Sequence, residues 1–143
     1  MTLDYSQTIL QISLLIDAGL VVLIWMVQLI IYPSFLHYPL KSLITWHNIY
    51  TKRIAVIVIP LMLGQLSISL FQVYENQVFD TLLYAAIILF LWAITLFKFA
   101  PMHNEISRGN VSEKFLAKLV RLNWIRTILW LLLFLLTVTK IVS

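Results

Sequence analysis

Four long apolar runs constrain the fold of this chain more than any other feature of its sequence. Each run is nearly free of charge and is close to the ~20 residues that an α-helix needs to cross a bilayer. The runs lie at residues 8–31, 53–73, 81–100 and 121–141. Because the links between them are short, the sequence predicts an all-α membrane protein, an antiparallel four-transmembrane-helix bundle that forms a single domain over residues 1–143.

The composition supports a membrane protein over a water-soluble one. The chain is 62% hydrophobic and only 11% charged, whereas soluble domains carry roughly 25% charged residues. It has no cysteine, which excludes disulfides and thiolate metal sites. The N-terminal stretch Met1–Ser6 lacks the basic region of a signal peptide, so we expect the first run to remain as a helix of the mature protein.

Lysine and arginine predict the orientation in the membrane. Nine of the ten lie in or beside the links that follow the first and third runs. They are Lys41, Lys52, Arg53, Lys98, Arg108, Lys114, Lys118, Arg121 and Arg126. Since basic links stay in the cytoplasm, we expect a multi-pass protein of the bacterial inner (cytoplasmic) membrane with both termini periplasmic. In such a protein the pI near 9.5 reflects topology, and no nucleic-acid partner is expected.

The two basic links carry signals for helix ends. Pro33 and Pro39 predict that the first link, at about Pro33 to Trp46, leaves the helix. A polar break is expected at Pro101–Asn110, after the third run. Asn110 and Glu113 resemble a capping box. They are expected to open a short basic amphipathic helix that leads into the fourth transmembrane helix.

Polar and aromatic residues recur near the cytoplasmic end of every run, with helical spacing on one face. In an antiparallel bundle these ends meet, so the residues predict a shared ligand pocket in the cytoplasmic mouth. The set is Trp25, Gln28, Tyr32, His47, Tyr50, Trp92, His103, Asn104, Glu105, Asn123, Arg126 and Trp130. Interface anchoring is the simpler explanation for other aromatic residues of these links, such as Tyr38 and Trp46.

Arg126 and Asp17 are ionisable residues within the runs. A charge that faces lipid is costly, so Arg126 is expected to point inward, with Glu105 as its counter-ion. Asp17 and Gln65 lie at matched depth in the first two runs, since each is fifteen residues from an interfacial tyrosine. We expect them to be buried and hydrogen-bonded to each other, either as structural contacts or as a proton-handling site.

The sequence predicts no cofactor. It lacks an HExxH motif, a nucleotide-binding loop and a GxSxG motif. No metal site is predicted from its three histidines. The alternative is that His47 and His103 hold a haem or a metal across the bundle.

Two elements of the second half resemble the anthrone-oxygenase-like family of small four-span bacterial membrane proteins. One is Pro101-Met-His103-Asn104-Glu-Ile, and the other is Arg121-Leu-Asn123-Trp124-Ile-Arg126-Thr127. In the first half, the Trp25-Met-Val-Gln28 and Trp46-His47-x-x-Tyr50 elements resemble an uncharacterised bacterial subgroup. The resemblance implies a four-helix membrane bundle. It also implies an activity linked to some members, the cofactor-independent oxidation of polycyclic phenols.

The leading functional hypothesis is therefore an integral membrane protein that binds an apolar, phenolic or quinone ligand at its cytoplasmic mouth. Whether it is an enzyme stays open, and the activity considered for it is oxidation of the anthrone-oxygenase type. His47 would act as general base, and Arg126 and Asn123 would stabilise the resulting oxyanion. Trp25, Trp92 and Trp130 would stack on the ligand rings. Two alternatives stay open: a haem- or metal-binding electron carrier, and a non-enzymatic accessory or assembly subunit of a membrane complex. A homo-oligomer is compatible with each of them.

Overall fold

Four long helices make up the part of the chain that the computed structural model describes, residues 5–142. They are α1 (Tyr5–His37), α2 (Leu40–Glu75), α3 (Phe79–Arg108) and α4 (Glu113–Val142). No strand occurs within residues 5–142. All four helices are long and apolar enough to cross a membrane. The predicted all-α class is thus confirmed, and so is the presence of four helices that are able to span a membrane.

Helices α1 and α3 are longer than the sequence predicts, because proline does not end them. Helix α1 continues past Pro33, and α3 continues past Pro101 to Arg108. The expected polar break at Pro101–Asn110 is therefore wrong, since helix occupies most of it. Met102 and Ile106 are buried and form the inward face of this segment. Their packing against the core stabilises the helix, although the mean hydropathy of the segment is lower than that of the preceding run.

A π-helical segment precedes each of these two prolines. Val27–Ile31 is π-helical before Pro33, and Thr95–Phe99 is π-helical before Pro101. In a regular α-helix the proline ring clashes with the carbonyl group four residues earlier and cannot donate to it. A π turn contains an additional residue, which moves that carbonyl away from the ring. The two π segments therefore let each helix continue through its proline.

The link between α1 and α2 consists of Tyr38 and Pro39 alone. Tyr38 is extended, with φ −93° and ψ 136°. A residue before proline is driven into this region by the proline ring. Because Leu43 N–H then donates to the Pro39 carbonyl at 2.9 Å, α2 begins immediately after the proline. The predicted link, which extended to Trp46, is correspondingly too long.

The turn from α3 to α4 depends on Gly109, whose φ of 77° is left-handed. Backbone N–H groups of Gly109 and Asn110 donate to the carbonyls of Ile106 and Glu105, at 3.0 and 3.1 Å. Glycine is favoured at such a position because a Cβ atom would be strained there. The glycine therefore ends α3 and reverses the chain.

The cap of α4 is Ser112 and not Asn110. The Ser112 hydroxyl accepts a hydrogen bond from Phe115 N–H at 3.2 Å, the standard contact of an N-cap. The Asn110 side chain instead donates to Glu105 at 3.4 Å, which corrects the predicted capping box. Lys114 is exposed in the first turn of α4, which is one uninterrupted helix from Glu113 to Val142.

Each helix packs against two others. Helix α1 contacts α2 and α4, and α3 also contacts α2 and α4. The core between them is largely aliphatic, and Leu20, Ile88 and Leu133 are at most 1% exposed. The outward face is also apolar: Val56 is 74% and Phe97 is 81% exposed. An outer surface of this kind suits lipid and not water.

A polar cluster joins all four helices in the half of the protein remote from the basic links. Fully buried Asp17 of α1 accepts hydrogen bonds from Gln65 Nε2 of α2 at 2.6 Å and Thr137 Oγ1 of α4 at 2.6 Å. The Tyr84 hydroxyl of α3 lies 2.8 Å from both carboxylate oxygens. The Asp17–Gln65 contact expected from matched depth is present, and two further helices contribute to it.

Substitutions of Asp17 should separate hydrogen bonding from charge. Asp17→Asn should cost about 1 kcal/mol, because the hydroxyls of Tyr84 and Thr137 can rotate to accept from the new amide. Asp17→Leu should cost more, about 3 kcal/mol, because three buried donors then lose their acceptor. Thermal unfolding in detergent measures both, and exposed Asp80→Asn serves as the control. Equal losses for the two Asp17 variants would contradict the hydrogen-bonding explanation.

Candidate functional site

A cavity of about 310 Å³ lies among the four helices. Its volume is within the range of roughly 300–1,000 Å³ typical of small-molecule sites. Most of its wall is aliphatic, with Leu20, Ile24 and Val58 among the contributors. Ile59 and Ala100 also line it and are exposed on the helix surface. The cavity therefore reaches the lipid-facing side of the protein.

The polar part of the wall is small and comes from all four helices. It consists of Tyr32, Tyr50, Thr51, Thr95, His103, Arg126 and the indole of Trp130. Five of the predicted site residues are thus brought together: Tyr32, Tyr50, His103, Arg126 and Trp130. An apolar cavity with a few convergent polar groups is the usual form of a ligand site.

Arg126 supplies a positive charge on this wall. Its side chain is 7% exposed, so it does not extend to the surface. The guanidinium carbon lies 4.4 Å from the centre of the Phe99 ring and 5.3 Å from that of Trp130. Cation–π contacts of this kind partly offset the cost of burial. The guanidinium is therefore held in place by two aromatic rings.

The expected ion pair between Arg126 and Glu105 is wrong. Glu105 pairs with Arg108 at 3.6 Å, and this is the sole ion pair within residues 5–142. Both residues are in the last turns of α3, and their spacing of three residues places them on one side of the helix. Because α3 stays helical beyond Pro101, Glu105 is carried past the level of the cavity. Arg126 is left without a carboxylate partner.

Two polar atoms on the cavity wall lack hydrogen-bond partners in the protein. Arg126 Nε and Thr95 Oγ1 are both buried and unpaired within the described residues. Such atoms carry a desolvation cost of about 1–3 kcal/mol each. Both residues line the cavity, so their donors are the polar groups of the wall that lack a protein partner. The wall is therefore suited to a ligand with an anionic or strongly polarised oxygen.

Tyr32 and His103 form the second polar feature of the wall. The Tyr32 hydroxyl lies 2.8 Å from His103 Nε2. Each residue comes shortly after a π-helical segment of its own helix. The additional residue in a π turn rotates all later side chains about the helix axis. The π segments therefore orient these two side chains as well as accommodating the prolines.

His47 is fully buried but lies behind His103 and not on the cavity wall. Its Nε2 is 2.8 Å from His103 Nδ1, and its Nδ1 is 3.1 Å from Ser107 Oγ. The two imidazole rings are stacked, with centroids 5.0 Å apart. His47 therefore reaches the cavity only through His103, which differs from the direct contact expected of a general base.

The position that the alternative assigns to a haem or metal, between the two histidines, is occupied by a direct hydrogen bond. Metal–nitrogen bonds are about 2.0–2.1 Å, so nitrogens on opposite sides of one ion lie about 4 Å apart. The observed 2.8 Å separation leaves too little space. No group of three or more His, Asp or Glu residues with metal-site geometry occurs within residues 5–142.

Gln28 and Asn123 form a separate contact between α1 and α4. Asn123 Nδ2 donates to Gln28 Oε1 at 2.9 Å, and Gln28 Nε2 donates to the Val120 carbonyl at 3.2 Å. Both side chains are buried, and neither lines the cavity. The predicted roles of Asn123 in oxyanion stabilisation and of Gln28 in ligand binding therefore lack direct contact with the cavity.

Four further predicted ligand contacts also lie away from the wall. Trp25 packs edge-on against Trp124, with ring centroids 5.6 Å apart. Trp92 is half-buried outside the wall, Asn104 is exposed, and Glu105 faces Arg108. Of the three tryptophans expected to stack on a ligand, Trp130 alone lines the cavity.

Sequence reasoning did not select Thr51, Thr95, Phe99 or Ser107. Thr95 and Phe99 bound the second π segment, and a threonine in an apolar run gives little signal because it can bond its own helix backbone. Ser107 lies in the segment where a polar break was expected, so no helical face was assigned to it. A helical continuation to Arg108 would have placed it one turn beyond His103, on the same face.

Comparisons of the chain with protein-family models, with curated proteins and with solved structures gave no match.

Removal of Arg126 should leave the protein stable, since no ion pair is broken. Arg126→Leu loses cation–π contacts of about 0.5–2 kcal/mol but also removes an unpaired buried charge, so the net change should stay within about 1 kcal/mol. Thermal unfolding in detergent measures it, with exposed Arg121→Leu in the same helix as control. A loss of about 3–5 kcal/mol, as expected for a broken buried pair, would contradict this assignment.

Proposed function

We propose that this chain is an antiparallel four-helix membrane protein that binds a polycyclic phenol or a related quinone in its cavity. We further propose that it oxidises the phenol with O2, without a cofactor. The observation that carries the proposal is Arg126: a buried cation on an apolar cavity wall, with no carboxylate partner among the described residues. An oxyanion on an otherwise apolar ring system is the ligand chemistry that such a wall complements.

The wall has groups for both parts of such a ligand. Arg126 Nε and Thr95 Oγ1 have no partner within the described residues, and we assign both as donors to the ligand. The Trp130 indole and Phe99 line the same cavity and offer aromatic surfaces to the rings. Because the wall includes exposed Ile59 and Ala100, an apolar ligand can enter from the bilayer and does not need to pass through water.

The Tyr32–His103 pair is the base in this proposal, in place of His47. For a hydroxyanthrone, the Tyr32 oxygen takes a proton from the CH2 group opposite the ring carbonyl, while the tyrosine proton moves to His103 Nε2. The electron pair of the broken C–H bond enters the ring system. The carbonyl oxygen becomes an oxyanion, which Arg126 stabilises.

The oxidation that follows is balanced by O2 alone. The carbanion carbon reduces O2 and forms a C–O bond, and the returning proton converts the peroxide to a hydroperoxide. Loss of the second C–H proton together with hydroxide leaves a carbonyl group and one water. One hydroxyanthrone and one O2 therefore give one quinone and one water. The protein supplies a base, a fixed positive charge and a dry cavity.

A hydroxyanthrone is the direct probe of this proposal. Purified protein in lipid nanodiscs should bind it, quench Trp130 fluorescence and convert it to the anthraquinone with uptake of one O2 per molecule. Arg126→Lys should weaken binding about tenfold, because an ammonium cannot reproduce the planar contact between two rings and an oxyanion. Arg121→Lys is the matched control and should bind as the wild type does.

Tyr32→Phe tests the base separately. It should bind the hydroxyanthrone but lose about 100-fold or more in oxidation rate, whereas exposed Tyr38→Phe should retain the full rate. Absence of binding by the wild-type protein would overturn the proposed function. The accessory-subunit alternative would then be favoured.

The orientation belongs to the same proposal. The ends joined by the α1–α2 and α3–α4 links carry nine of the ten basic residues, and we assign this end to the cytoplasm of a bacterial inner membrane. The cavity residues Tyr32 and His103 are in the halves of α1 and α3 nearest this end. The site would thus open toward the inner leaflet.

A reporter fused to the C-terminus tests this orientation. A periplasmic phosphatase fusion should be active, and a fusion in the α1–α2 link near Pro39 should be inactive. A cytoplasmic fluorescent reporter should give the reverse pattern. If the C-terminal fusion reports a cytoplasmic location, both the orientation and the inner-leaflet position of the site are wrong.

A further inference from the structure

A line of four hydrogen-bonding side chains leads away from the cavity. Tyr32 and His103 line the cavity wall, whereas His47 and Ser107 do not. The separations along the line are 2.8 Å from Tyr32 to His103, 2.8 Å from His103 to His47, and 3.1 Å from His47 to Ser107. Both nitrogens of each imidazole are therefore engaged. The residues are on α1, α3 and α2, and the line returns to α3.

The hydrogen bonds of this line can run in either of two directions, as the number of protons on each group shows. A neutral imidazole has one N–H group and one free lone pair. In one arrangement every donor points from Tyr32 toward Ser107. In the other, every donor points from Ser107 toward Tyr32. Each imidazole keeps one donated and one accepted bond in both arrangements, so the line can reverse without leaving a histidine nitrogen unpaired.

Ser107 places the far end of the line near water. It is half-buried in the last turn of α3, directly before exposed Arg108 and the Gly109 turn. Polar and charged side chains surround this end of the helix, including Asn104 and Asn110. The line thus connects the apolar cavity with the surface of the protein at its basic end.

We propose that His47 and Ser107 conduct the proton between the Tyr32–His103 pair and the aqueous surface. This inference rests on the proposed function for its substrate, but the conduction itself is a property of the four side chains. When Tyr32 takes a substrate proton, its own proton moves to His103 Nε2. The His103 Nδ1 proton moves to His47 Nε2, the His47 Nδ1 proton moves to Ser107, and the Ser107 proton leaves to water.

The balance of this transfer fits the proposed oxidation. Each group gives one proton and receives one, so no charge stays in the cavity apart from the substrate oxyanion. Afterwards both imidazoles hold their proton on Nε2 in place of Nδ1. Protonation of the peroxide in the next step draws a proton inward along the same line. That return restores the original tautomers without rotation of the buried rings.

Hydrogen exchange of the histidine ring N–H groups tests conduction without a substrate. Protein labelled with ¹⁵N-histidine is transferred to D2O in detergent, and the exchange of His103 is followed by NMR. Ser107→Ala should slow that exchange about 100-fold, because the route to water is interrupted, and Ser107→Thr should restore it. Ser34→Ala is the matched control, since its hydroxyl bonds the Ile31 carbonyl within α1 and makes no hydrogen bond with the line.

The same variants are then compared with the hydroxyanthrone. His47→Gln and Ser107→Ala should bind it as tightly as the wild type, within about twofold, but oxidise it at least about 100-fold more slowly. Wild-type exchange and wild-type turnover in both variants would overturn the conduction proposal and leave the cavity proposal standing. Slowed exchange in a protein that does not bind the hydroxyanthrone would retain conduction and reject the proposed substrate.

Discussion

The absence of water from the bilayer core is the constraint on which this structure depends. A polar group there must find its partner inside the protein, because an unpaired one costs several kcal/mol. Asp17 meets this requirement with donors from three other helices. Gln28 and Asn123 meet it in part with each other, although Asn123 Oδ1 has no partner within the described residues. Ser69 Oγ, Trp92 Nε1, Thr95 Oγ1 and Arg126 Nε are also buried without partners in this part of the chain. Of these residues, Thr95 and Arg126 line the cavity, where a ligand could supply the missing partner.

The number and type of the helices follow from hydropathy alone. Four runs of bilayer length admit few other folds, and the four helices of the structure correspond to them. The helix ends do not follow in the same way. Hydropathy falls at Pro101, yet α3 continues to Arg108, because the π turn before the proline removes the clash on which the prediction of a break depended.

The site was predicted by residue type more successfully than by contact. Tyr32, Tyr50, His103, Arg126 and Trp130 do share one cavity wall. Their partners were harder to predict, because a helical face is known from sequence to within about one residue. A π turn shifts it by about that much. Glu105, which follows the π turn of α3, was therefore paired with the wrong arginine. His47 is on α2, which has no π turn; it was expected at the cavity with His103 but lies behind it.

Gln28 and Asn123 show a related limit of sequence reasoning. Their spacing within each helix indicates an inward face, but an inward face borders both cavities and helix interfaces. The two amides contact each other because α1 packs directly against α4, which the sequence does not show. The same packing leaves the cavity to the side chains one or two turns away, among them Trp130.

The two π turns also constrain the number of residues in α1 and α3. Successive residues of an α-helix are about 100° apart around its axis, so one inserted residue turns everything beyond it by roughly that angle. In α1 and α3 the insertion comes just before Tyr32 and His103. Their 2.8 Å contact therefore depends on two insertions in separate helices, which must be gained or lost together. A deletion in one helix would turn its side chain away and place its proline within an ordinary α turn. Related proteins that keep this contact should accordingly differ in their side chains more readily than in the lengths of these helices.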